Sequence, residues 1–199
     1  MIKILSVAIV VVIFSGCSLK DTSKPIKEYT IEDSTKISSK PLHVDKVLKI
    51  SKLKASSYLQ NSSIWYKRED YETSPYIYSQ WNENFVDMIE KDITNTIFKS
   101  NIFKTTFSRY SKIRADLLLE ADIIEARQNI YENSSDVTFK IVLYLIDEKS
   151  SKVVGNREFS YTKDCENVDA QSAILAYNEV IKNLNKDMIT WLKTLVKEN

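Results

Sequence analysis

The order of hydrophobic patterns predicts an α+β domain, a mostly antiparallel sheet with two amphipathic helices packed on one face. Three observations carry that expectation. Residues 115–162 read as three successive alternating strands divided by turn clusters. Two stretches, one from Trp81 and one from Asp169, repeat apolar residues at helical steps. Between residues 63 and 78 the chain gathers aromatic, β-prone residues around a charged corner.

Taken in order, Tyr29-Thr30-Ile31 is expected to be a short strand. Residues 41–53, with Leu42, Val44, Val47, Leu48, Ile50 and Leu53, read as a strand with one buried face and a bulge. Tyr58-Leu59 fits a single turn of helix. Ser63 to Arg68 and Tyr71 to Tyr78 form a predicted hairpin across Glu69-Asp70, with Pro75 at a strand start or an edge. Ser79 is expected to cap the helix that follows, in which Trp81, Phe85, Met88, Ile89, Ile93 and Ile97 share a face. Asn101 is a plausible exit, and Phe103 to Phe107 a short strand.

The first long strand, 115–127, alternates Leu117, Leu119, Ala121 and Ile123 with Leu118, Glu120, Asp122 and Ile124. The second, 136–147, alternates Val137, Phe139, Ile141, Leu143 and Leu145 with Thr138, Lys140, Val142, Tyr144 and Ile146. A third runs from Val153 to Thr162. The face bearing Leu118, Ile124, Val142, Tyr144 and Ile146 must be covered by the N-terminal strands or offered to another protein. The last helix, about Asp169 to Lys197, carries Ile174, Tyr177, Ile181, Leu184, Met188, Trp191 and Leu195. This row fits a helix laid across the sheet better than a coiled-coil seam.

The N-terminus tells a separate story. Lys3, an apolar core of about a dozen residues, and the small pair Ser15-Gly16 give a secretory signal. The core is too short for a spanning helix, which needs about 20 apolar residues. Phe14-Ser15-Gly16-Cys17 resembles a bacterial lipobox. That resemblance implies cleavage after Gly16 and acylation of Cys17, an attachment of several chains that exceeds the threshold for stable anchoring. Residues 1–16 are then signal, 17–28 a lipidated tether, and 29–199 a single domain. Ser18, where an aspartate would retain the protein, resembles the pattern sorted to the outer membrane, which would place the domain on its periplasmic face.

Composition removes several function classes. The chain of 199 residues has 28 basic and 27 acidic side chains, so a nucleic-acid partner is not expected. Beyond Gly16 the only glycine is Gly155, too few for a phosphate-cradling loop. With one histidine, His43, and one cysteine beyond the lipobox, Cys165, neither a zinc site nor a Ser-His-Asp arrangement has its parts. No cofactor, metal or catalytic residue is expected, and Cys165 reads as a partly buried, inert thiol.

The stretch from Ser63 to Leu118, together with the lipobox and the early Tyr29-Thr30-Ile31 strand, resembles the ABC-type transport auxiliary lipoproteins of the PqiC (YmbA) group. The residues that carry the likeness are Ile64-Trp65-Tyr66-Lys67, then Tyr76 or Tyr78, then Trp81 opening a helix, and Ala115-Asp116-Leu117-Leu118-Leu119-Glu120. This chain has Lys67 where the family tends to have Arg, and lacks Ala-Glu-Pro after Trp81. The resemblance implies a non-enzymatic accessory lipoprotein working with an ABC transporter or permease and an MCE-domain protein in lipid transport between membranes. The domain would dock a partner or assemble into a homo-oligomer. Trp65, Tyr66, Tyr71, Tyr76, Tyr78 and Trp81 are the candidate contact residues, because aromatics dominate interface hot spots; the other reading of these rings is core packing. Two alternatives stand beside this one. One is a lipoprotein that assembles or plugs an outer-membrane barrel, as in lipopolysaccharide export. The other is an envelope hydrolase using carboxylates such as Asp116, Glu120 and Asp122.

Overall fold

The computed structural model describes residues 24–32 and 42–198. The signal, Cys17, Ser18 and most of the tether lie outside the described residues. The elements are β1 (Lys27–Tyr29), β2 (Val44–Ile50), β3 (Lys54–Ala55), a 3-10 turn (Ser57–Leu59), β4 (Ser63–Arg68) and β5 (Thr73–Trp81). They continue with α1 (Phe85–Ser100), β6 (Phe103–Phe107), β7 (Leu117–Ile130), β8 (Ser135–Asp147), β9 (Lys152–Asp164) and α2 (Ala170–Glu198).

The sheet is organised around β7. Along one edge it pairs with β8 for its whole length, and β8 pairs with β9, giving the expected antiparallel meander. Along the other edge β7 is met in turn by β2, β3 and β4, all parallel to it. The chain from Val44 to Arg68 thus walks along β7 in three steps, breaking register where Ser51, Ser56 and Asn61-Ser62 offer turns. Ser51 N–H still donates to the Leu119 carbonyl at 2.9 Å, carrying the ladder past the first break. β6 adds to β2 and β1 to β5, both in parallel, while β4 and β5 form the antiparallel hairpin. The sheet is therefore mixed, not mostly antiparallel. Meander turns are local and visible in sequence, whereas parallel pairs join distant segments.

Alternation along β7 and β8 places Leu117, Leu119, Ala121, Ile123, Val137, Phe139, Ile141, Leu143 and Leu145 in the core. The helices cover that face. On α1 the buried residues include Phe85, Ile89, Ile93 and Ile97; on α2 they include Ile174, Tyr177, Ile181, Leu184, Met188 and Trp191. The α2 row lies against the sheet, with Trp191 edge-on to Phe159 at 6.0 Å between ring centroids. Trp81 and Phe85 both meet Tyr177, which locks the start of α1 to α2. Asn185 Nδ2 donates to Asp92 Oδ2 at 2.8 Å and ties the two helices together.

Several local expectations are corrected. Strand β5 runs on to Trp81, so Ser79 sits within a strand; the cap of α1 is Asn84, whose side chain accepts from the N–H groups of Val86 and Asp87. Asn101 does end α1, in the left-handed region at φ 52°. The bulge expected in 41–53 is present between Val44 and Val47. The first strand begins earlier, at Lys27. His43 precedes β2 and approaches the Asn101 carbonyl at 3.3 Å. The N-terminal strands hydrogen-bond edge-on to β7 and lengthen the sheet, so they do not cover its outer face. There Leu118, Val142, Tyr144 and Ile146 are half-buried and Ile124 is exposed.

Candidate contact surface

The β4–β5 hairpin is built by alternating aromatic and polar residues, and its turn is set by charged ones. Tyr71 N–H donates to the Arg68 carbonyl at 3.0 Å and Arg68 N–H to the Glu72 carbonyl at 2.9 Å. The Asp70 carboxylate accepts from Glu72 N–H at 3.2 Å. This geometry holds Tyr71 at φ 68°, a conformation that side chains larger than glycine, asparagine or aspartate rarely adopt. Its ring is 81% exposed, with Lys67 Nζ 4.6 Å from the ring centroid. Beside it a concavity is lined by Lys67, Arg68, Glu69, Asn129, Ile130 and Tyr131. Arg68 lies over Tyr66 at 5.4 Å, and Tyr66 packs on Tyr76 at 4.9 Å. Tyr131 Oη donates to Asp136 at 3.0 Å, the contact that does most to raise its pKa.

The hairpin carries a large irregularity. Ser63 faces Gln80 and Trp65 faces Pro75, so two steps along β4 are matched by five along β5. The surplus residues take divergent paths. Tyr76 turns inward and its Oη donates to Gln128 Oε1 at 2.6 Å. Burial, chiefly, pushes its pKa up to about 12. Gln128 is fully buried and donates in turn to Ser135 Oγ at 2.9 Å. Ile77 and Tyr78 are instead pushed outward, to 76% and 50% exposure.

The candidate contact residues therefore divide. Tyr71 and Tyr78 reach the surface. Tyr66 and Tyr76 stand half-buried beneath it. Trp65 packs edge-on to Tyr58 at 5.5 Å with its Nε1 buried. Trp81 is 2% exposed, part of the core, and out of a partner's reach. Ile77, Arg68 and Tyr131 join the surface without being expected. Their placement depends on the bulge and on β4 pairing with the end of β7, which no local pattern announces.

Two of the carboxylates considered for hydrolysis, Asp116 and Glu120, have structural partners. Asp116 accepts from Val47 N–H at 2.7 Å, and Glu120 lies 3.6 Å from Lys54 Nζ. Arg109 is held between Glu90 at 2.7 Å and Asp87 at 3.1 Å, clipping the end of β6 to α1. Burial pushes the Cys165 thiol up, away from the thiolate a nucleophile needs. Among the described residues no cluster of His, Cys, Asp and Glu could hold a metal ion, and no helix is long and apolar enough to cross a membrane.

The family model described as ABC-type transport auxiliary lipoprotein component matches residues 29–189. No curated protein sequence matches the chain. A solved DUF330-family protein from Xanthomonas campestris superposes with a TM-score of 0.71 at 15% identity, covering 87% of this chain and 95% of its own. A protein from Chlamydia trachomatis gives 0.50 at 8% identity, covering 78% of this chain and 100% of its own. At these identities the structures speak to the fold alone.

Proposed function

The chain belongs to the ABC-type transport auxiliary lipoprotein component family, and from that premise we propose that it serves an ABC/MCE-type lipid transport system between membranes. Cys17 is the lipid attachment point, the residues from there to β1 the tether, shorter than expected because Lys27 and Glu28 pair with β5, and the outer membrane, on its periplasmic face, the site of anchoring. The domain works by contact, without bond-breaking chemistry, against an MCE-domain protein or the transporter complex.

The observation that carries the contact reading is Tyr71. A large ring is kept fully displayed at a turn position that glycine, asparagine or aspartate would fill with less strain. Backbone strain of this kind concentrates at functional positions. Lys67, Arg68 and Tyr131 surround it, an aromatic and cationic mixture typical of interface hot spots.

Affinity purification of the full chain from detergent-solubilised membranes tests the proposal. Recovery of an MCE-domain protein with an ATPase or permease is the expected result. Recovery of an outer-membrane barrel would favour the assembly or plug reading instead.

A further inference from the structure

Exposed apolar side chains gather where the described chain begins. Lys27 pairs with Ser79 in the parallel β1–β5 ladder, so Ile26 falls beside Tyr78 one step earlier. Lys24 Nζ lies 5.8 Å from the Tyr78 ring centroid, so the entering chain passes beside that strand. Ile26 is 54% exposed, and Ile77, next to Tyr78, is 76% exposed. A shallow groove joins Lys27 and Tyr29 to Ile174 and Leu175 of α2, and Leu175 is exposed as well. Ile26, Ile77, Tyr78 and Leu175 thus lie around the β1 edge of the sheet, one corner of the domain, with Lys24, Lys27 and Glu28 at its margin.

The length of chain before this corner says what meets it. Seven residue steps separate Cys17 from Lys24, a span of roughly 25 Å at full stretch. A domain of this size is roughly 40 Å across. An acylated Cys17 therefore holds this corner within roughly 25 Å of the bilayer, less than the width of the domain. Aliphatic side chains, a tyrosine and flanking lysines are also what a membrane interface accepts: the apolar parts enter, and the ammonium groups stay at the phosphates.

We propose that the corner formed by Ile26, Ile77, Tyr78 and Leu175 docks on the phospholipid surface to which Cys17 is anchored, fixing the domain's orientation. The proposal rests on the acylation of Cys17. It makes the β5 bulge a membrane-facing device: the surplus that turns Tyr76 inward also projects Ile77 and Tyr78 toward lipid. The hairpin tip is then held at a set angle, its Tyr71 free for a partner.

The test uses acylated full-length protein in vesicles of phosphatidylethanolamine and phosphatidylglycerol doped with a lipid bearing a headgroup nitroxide. Cys165→Ser is the background, and an environment-sensitive fluorophore is attached at Ile77→Cys or at Ile113→Cys. Ile113 is also exposed, at 52%, but precedes the opposite end of β7. Expected are pelleting with the vesicles and quenching roughly threefold stronger at position 77 than at 113, as for side chains seated about 5–10 Å into the interface. Pelleting with equal quenching at both positions overturns the docking and leaves the anchor intact. In unlabelled Ile77→Cys protein under oxidising conditions, disulfide-linked pairs that form in vesicles, together with no quenching of the labelled sample, overturn it in favour of a second copy. Failure to pellet overturns the anchor, and the docking with it.

Discussion

Tyr76 Oη donates to Gln128 Oε1 at 2.6 Å, joining the bulged strand β5 to a fully buried residue near the end of β7. The bond gives the β5 bulge a fixed shape. Because Gln128 is fully buried, its oxygen has no access to water should the phenol be removed. Tyr76→Phe is expected to lower stability by about 1–3 kcal/mol, the cost of an unsatisfied buried acceptor, measured by urea unfolding. Burial of the Tyr76 phenol also has a pH signature. The Tyr76 pKa is raised from 10.0 to about 12, so the unfolded chain ionises first. Stability should hold below pH 10 and fall between pH 10 and 12, and Tyr76→Phe should make that decline shallower.

The helix cap separates two sequence candidates. Asn84 accepts from Val86 N–H at 3.0 Å and from Asp87 N–H at 3.3 Å. Asn84→Ala should cost about 1 kcal/mol. Ser79→Ala removes no cap and should leave the stability of α1 unchanged. Thermal unfolding of the two variants side by side reads the difference.

Gly155 allows α2 to close on β9. A Cβ added there would stand 2.8 Å from both Cδ atoms of Leu195. Gly155→Ala should force Leu195 out of place and cost about 1 kcal/mol. In a Leu195→Ala background the same change should be neutral or stabilising, since alanine suits a strand better than glycine. A double-mutant cycle measured by denaturant unfolding gives the coupling.

Legibility of the fold followed the range of the interactions. The meander β7–β9, both helices and the Asn101 exit were visible because alternation, helical spacing and turn residues are local signals. The parallel steps of β2, β3 and β4 along β7 were not, because they pair segments distant in the chain. The same limit decided the contact residues. Trp81 continues the helical spacing of Phe85 and Ile89, yet it ends a strand and points into the core. Ile77 looks like an ordinary strand residue until the register of β4 against β5 shows the surplus around it.

Tyr71 offers a separation of stability from contact. Glycine accepts φ 68° without the steric cost, about 1–2 kcal/mol, that an L side chain meets there. Tyr71→Gly should therefore unfold no earlier than the parent chain. Recovery of the transport partner in affinity purification should nevertheless fall several-fold. Equal recovery with the variant would move the contact away from the hairpin tip.

The anchor is the premise on which both the tether and the membrane-facing corner depend, and mass spectrometry of the processed N-terminus tests it most directly. Protein isolated from membranes should begin at Cys17 and carry the mass of a diacylglyceryl group on sulfur, with a further acyl chain on the new amino group. A chain beginning elsewhere, or an unmodified thiol at Cys17 in protein recovered from the soluble envelope fraction, would contradict it.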